Sequence, residues 1–135
     1  MKAKTIDGKL VDWNPHLQKN NKQEENKSRG HKAAIILLKE LYPTCKILEE
    51  VSIPIQTGEW SYIDIYLPLL KLAIEINGVQ HDKFSPFFHN DRRDFLYGQL
   101  KDKKKKEWCD INNIKLIILS TKDQDEWKKI LLSHN

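Results

Sequence analysis

An aspartate and a glutamate stand eleven positions apart, Asp64 and Glu75, in the stretch Ser61-Tyr62-Ile63-Asp64-Ile65-Tyr66-Leu67-Pro68-Leu69-Leu70-Lys71-Leu72-Ala73-Ile74-Glu75-Ile76-Asn77-Gly78. Apolar residues flank both acids in the runs and alternations of strands, and Pro68 with its neighbours marks a turn. With Leu69 and Leu70 at the turn, Leu67 pairs with Leu72, and Asp64 falls directly across from Glu75. Opposed side chains on paired strands sit roughly 5 Å apart, and like charges there repel. A divalent cation between them would convert that repulsion into a site. Magnesium, with manganese as the alternative, is the expected ion, because hard cations take oxygen ligands and keep several waters. Asp64 and Glu75 would supply two oxygens and the backbone carbonyl of Ile76 a third. The competing structural account is a pair of edge-strand carboxylates facing water.

Further candidates follow along the chain. Gln80 and His81 come directly after the second strand, where a histidine could take a proton from a metal-bound water. The loop over residues 79–90 mixes aromatic and polar side chains, a mix more often functional than structural. A long helix is expected over residues 91–112, in which Asp102, Lys106 and Cys109 share one face and Leu96, Leu100, Trp108 and Ile111 form an apolar stripe beside it. Asp102 could then reach the metal end of the sheet, while Lys106 could assist a leaving group, touch a phosphate or simply close an intrahelical salt bridge. Lys83, Arg92, Arg93, Lys101 and the run Lys103, Lys104, Lys105, Lys106 make a basic surface suited to phosphate contacts, or a solvated face. A zinc centre drawing on Cys45, His81, His89 and Cys109 lacks the compact spacing that such sites use.

The elements that must position these groups are legible in outline. Residues 1–26 are polar, with few core formers beyond Ile6, Leu10, Val11, Trp13 and Leu17, and are expected as an arm that Trp13 anchors to the body formed by residues 27–135. Ser28 is a helix-cap candidate. Ala34, Ile35, Leu37, Leu38 and Leu41 have helical spacing, and Pro43 ends that helix. A strand over residues 47–53 is expected to stop at Pro54, followed by a turn at Gln56–Glu59, the two acid-bearing strands, the long helix, a buried strand over residues 114–119 and a last helix capped by Thr121 or Asp123. A meander followed by a helical crossover makes a mixed sheet covered by helices, an α/β (α+β) protein.

The 135 residues are 39% hydrophobic and 31% charged, with net charge +4, the composition of a globular domain. No apolar run approaches the ~20 residues needed to cross a bilayer, and the first residues lack the apolar core of a signal peptide, so a cytoplasmic protein is expected. Two cysteines are too few for a disulfide framework, and Cys109 is expected in the core. Residues 1–34 carry eight Lys/Arg against four Asp/Glu, residues 35–75 three against six, and residues 76–135 twelve against nine. Basic ends around an acidic centre suit a chain that grips a polyanion and holds cations in its middle.

Asp64 followed by Glu75-Ile76-Asn77, in the order helix–strand–strand–strand–helix–strand, resembles the PD-(D/E)xK nuclease superfamily. Leu72-Ala73-Ile74-Glu75-Ile76-Asn77-Gly78-Val79-Gln80-His81 is similar to the branch that holds very-short-patch repair endonucleases and phage homing endonucleases. Lys4-Thr5-Ile6-Asp7-Gly8 with Trp13, and the segment over residues 101–114, resemble small nuclease-like proteins of large tailed phages. The resemblance implies a restriction-endonuclease-like αβββαβ core and magnesium-dependent hydrolysis of double-stranded DNA, inside an infected bacterial cell. It implies that Asp64 and Glu75 bind the metal and that Asp102 matches a late helical aspartate. Where that family carries a water-polarising lysine, this chain has Asn77, so Gln80 or His81 is expected to take the task. A further acidic ligand is expected from Glu40, Glu49 or Glu50, and His31 stands where related chains often have an acid. Cleavage of both strands would require a homodimer or two successive nicks. Two other functions fit the same residues: a nuclease fold kept for binding DNA or protein with little cleavage, and a nuclease directed at RNA.

Overall fold

The computed structural model describes residues 2–17, 29–77 and 103–133. Six strands form two sheets. β1 (Lys2–Lys4) and β2 (Leu10–Asp12) make a small antiparallel hairpin. β3 (Leu48–Gln56), β4 (Glu59–Leu67), β5 (Leu72–Asn77) and β6 (Lys115–Ser120) form a four-stranded sheet in the order β3-β4-β5-β6. The first three strands meander antiparallel, and β6 runs parallel to β5. A parallel neighbour needs a crossover, and the connection between β5 and β6 includes a helix, α2, over residues 103–111. α1 (Arg29–Leu41) precedes the sheet and α3 (Trp127–Ser133) follows it. The result is a mixed α+β protein. No helix among the described residues is long and apolar enough to cross a membrane.

From Ile65 onward, period-two alternation sends the side chains of β4 and β5 to two separate cores. Ile65, Leu67, Leu72 and Ile74 join Ala34 and Leu38 of α1, Ile117 and Leu119 of β6, and Trp127 and Leu131 of α3. Tyr66 and Ala73 join Trp13, Trp108, Cys109 and Ile114, together with Val51, Ile53 and Ile55 of β3. Both faces are therefore covered, which explains why β5 reads as an almost unbroken apolar run. Glu75 lies on the same side as Ala73, so it departs from solvent along with its face.

Several boundaries differ from the sequence expectation. β3 continues through Pro54 to Gln56, because β3 is an edge strand where a missing N–H breaks no ladder, and the register shifts between Pro54 and Gln56. The last helix is capped neither by Thr121 nor by Asp123. Ser120 caps a 3-10 stretch, Thr121–Glu126, through a side-chain bond from the Lys122 N–H, and α3 begins only at Trp127. Within residues 2–17, Ala3 and Trp13 are buried in the core, and the Trp13 indole donates to the Ser52 carbonyl at 2.8 Å.

Candidate metal centre

The turn after β4 sets the geometry of the acids. Residues 68–71 form it, with Lys71 at φ 52°, and the register across it is Leu67 to Leu72, Tyr66 to Ala73 and Ile65 to Ile74. Asp64 and Glu75 come one position further on. Their side chains meet, sharing a carboxyl hydrogen bond, and Asp64 Oδ2 also accepts the Ile76 N–H at 2.9 Å. Ile76 thus touches the site through its amide, which orients Asp64.

Glu75 is only 12% exposed, and the Lys105 ammonium, itself 17% exposed, lies 2.9 Å from its Oε1. Burial, the charge of Asp64 and their shared hydrogen bond push the Glu75 carboxyl up to about 8, against the opposing pull of Lys105. Glu75 therefore keeps its proton at neutral pH. Burial, followed by the Glu75 charge, pushes the neighbouring Cys109 thiol up to about 12, so it keeps its proton. Cys45 packs beside the other core cluster, on the opposite side of the sheet from Cys109, so the two sulfurs do not converge.

The other flank of Asp64 is built by α1 and β3. β3 and β4 pair Glu49 with Ile65 and Val51 with Ile63, which leaves Glu50 abreast of Asp64. Glu50 has φ 52°, a left-handed backbone unusual for glutamate. Ile63 packs in one core and Ile65 in the other, so the side-chain alternation changes over at this level of the hairpin. His31 is 3% exposed, and its Nε2 lies 2.9 Å from Glu49 Oε1. One donor atom each from His31, Glu50 and Asp64 lie within 4.8 Å of one another. Of the three glutamates considered for a further ligand, Glu50 reaches the centre, Glu49 holds His31, and Glu40 is turned toward Lys128 at 3.8 Å on the surface.

The remaining candidates divide as follows. Asn77 ends β5, half-buried and beside Ser120 of β6. Lys103 and Lys106 are exposed on α2, while Lys104 is half-buried with its ammonium 3.3 Å from Glu59. Gln80, His81, Lys83, His89, Arg92, Arg93, Lys101 and Asp102 lie outside the described residues. Sequence reasoning placed Lys105 in a general basic surface and passed over its position against Glu75. The signal was present. Trp108 and Cys109 are both fully buried, and the residue that shares their helix face is the one three and four positions earlier, which is Lys105 and not Lys106.

The fold is thus a helix-covered mixed sheet with an acid-rich centre at the level of Asp64. No family model matches the chain, and no solved structure matches it. Over 55 residues, 41% of its length, it is 47% identical to the uncharacterized protein 307L of Invertebrate iridescent virus 6. Over 61 residues, 45% of its length, it is 36% identical to the uncharacterized protein 033L of Invertebrate iridescent virus 3. These matches cover 28% and 31% of the two viral proteins, so the chain spans under a third of the curated relatives it matches.

Proposed function

We propose that this chain is a metal-dependent DNA endonuclease of the PD-(D/E)xK type, close to the very-short-patch repair and homing endonuclease branch. One observation carries the reading: Asp64 and Glu75 meet on adjacent strands inside the fold, with the Lys105 ammonium against Glu75. The order α1-β3-β4-β5-α2-β6 supports the αβββαβ core that such an enzyme uses. Asn77 cannot carry the positive charge expected two residues after Glu75, and Lys105 supplies a cation at the same carboxylate from α2.

The donor set fits magnesium or manganese, since its carboxylates offer hard oxygen ligands when ionised. The ion would be held at Asp64, with Glu75 and the Ile76 carbonyl as the partners the resemblance implies; when bound, it would polarise a phosphate oxygen and lower the pKa of an attacking water. Asp64 is oriented for this by the Ile76 N–H. Lys105 stabilises negative charge growing on the phosphate. His81 would accept the water proton, with Gln80 and Asp102 as the further catalytic candidates. Lys103 and Lys106, exposed on α2, contact backbone phosphates alongside Lys83, Arg92, Arg93 and Lys101. With one centre per chain, double-strand cleavage needs a homodimer or successive nicks. The iridescent virus relatives support a viral setting; they are proteins of invertebrate viruses and carry no support for a bacterial host, so action in the cytoplasm of an infected cell, bacterial by the resemblance alone, is part of the proposal.

Supercoiled plasmid tests it. Wild type is expected to convert the plasmid to the nicked form with magnesium or manganese and not with EDTA, and Asp64→Ala to lower that rate by about 100-fold or more. The second reading is a DNA- or protein-binding module with little cleavage. Asn77 favours it, and so does the Lys105–Glu75 pair, which neutralises part of the pocket without an ion. Duplex binding that is indifferent to metal, with no nicking in any divalent salt, would establish that module instead. Parallel DNA and RNA substrates separate the third possibility.

A further inference from the structure

Asp64 has two flanks, and they differ in charge and in ligand chemistry. On the β5 flank an ammonium already stands 2.9 Å from Glu75. On the β3 flank, Glu50 and His31 each bring a donor atom within 4.8 Å of a carboxylate oxygen of Asp64, and of each other. Donors around one octahedral cation lie roughly 3–4 Å apart, so small side-chain adjustments would close this trio on an ion. A carboxylate set against one ring nitrogen is the usual support of a ligating imidazole, and Glu49 holds His31 in that way. α1 can bring His31 this close because Gly30 precedes it: a Cβ there would meet Thr121 Cγ2 at 2.9 Å and Ile76 Cγ2 at 3.1 Å.

Resting on the metal-dependent reading above, we infer that the divalent cation is held on the β3 flank by His31, Glu50 and Asp64, and that the imidazole makes this site select manganese over magnesium. Magnesium dehydrates reluctantly and prefers an all-oxygen shell. Manganese accepts carboxylates equally well and tolerates a nitrogen in the shell, since imidazole suits transition ions. Glu75 and Lys105 then lie on the opposite flank of Asp64, outside the ion's shell.

Electron paramagnetic resonance of the full chain with manganese alone tests this. Wild type is expected to bind manganese at least about tenfold more tightly than magnesium in competition. The spin-echo signal of the bound ion should carry nitrogen-14 modulation, lost in His31→Gln and kept in His81→Ala. Glu50→Gln should weaken manganese by about tenfold or more; this half-buried position keeps the inference testable if His31→Gln fails to fold. Bound manganese with no nitrogen modulation, modulation that vanishes in His81→Ala instead, or unchanged affinity in Glu50→Gln would each overturn it. If affinity is then lost in Glu75→Gln, the ion sits on the β5 flank and the nuclease reading stands. If manganese binds nowhere, both fall.

Discussion

Lys105 and Glu75 stand 2.9 Å apart, both largely shielded from water, and each yields a measurement. Glu75 ionises ordinarily near 4.5 and here near 8. Between those values the folded chain holds a proton that the unfolded chain has released, so stability falls as pH rises through the window. In metal-free buffer, the melting temperature is expected to drop from about pH 5 to about pH 8, by the equivalent of on the order of 2–4 kcal/mol. Glu75→Gln cannot ionise, so its melting temperature should be nearly flat over the same range. A wild-type curve as flat as that of the variant would contradict the raised Glu75 carboxyl. Lys105→Ala should cut nicking by about 100-fold while duplex affinity changes little, because its ammonium is turned inward. Lys103→Ala and Lys106→Ala should do the reverse, each lowering the slope of log affinity against log salt by about 1 and leaving the rate per bound duplex unchanged. Filter binding and single-turnover cleavage at several salt concentrations would distinguish the two classes of lysine.

At the scale of elements, the centre exists because α1 and α2 dock on opposite faces of one hairpin. α1 delivers His31 through a close approach at Gly30, whose absent side chain leaves room for Thr121 and Ile76. Alanine normally favours a helix over glycine by about 1 kcal/mol. At this position the two methyls it would strike belong to β-branched side chains, which are stiff at χ1, so overpacking should win. Gly30→Ala is expected to lower stability by about 1–3 kcal/mol in urea unfolding, and to weaken manganese binding by displacing the N-terminal turn of α1. A stabilised variant would show that the turn has slack. α2 delivers Lys105 because Trp108 and Cys109 are the residues it buries, and that choice of face decides which member of the lysine run points at Glu75.

For the whole molecule, the first seventeen residues matter more than their composition suggests. Trp13 stacks edge-on against Trp108, with ring centroids 5.1 Å apart, and lies 5.6 Å from the Tyr66 ring. It therefore joins the β1–β2 hairpin to β4 and to α2, the two elements that carry Asp64 and Lys105. Trp13→Ala should cost about 3–5 kcal/mol in global unfolding and reduce nicking through loss of the Trp108 packing. If chemical denaturation of that variant matches wild type, the hairpin is an accessory and not part of the core. Charge is arranged at the same scale: the acidic stretch over residues 35–75 contributes Glu50, Asp64 and Glu75 to the interior, while exposed lysines of α2 lie outside it.

The sequence by itself determined the order of elements from α1 to α3, the register of the β4–β5 turn, and the meeting of Asp64 with Glu75. Those are local properties: a short turn after Leu67 fixes the register, and register fixes which side chains are abreast. Tertiary structure alone decided that Glu50 and His31 join Asp64 while Glu40 does not, that Lys105 among four consecutive lysines meets Glu75, and that Trp13 packs against Trp108. Each of those depends on where a helix or hairpin docks across many residues of intervening chain. Docking follows from the fit of bulky side chains such as Trp108 and from gaps such as the one at Gly30, and neither periodicity nor spacing along the chain encodes that fit.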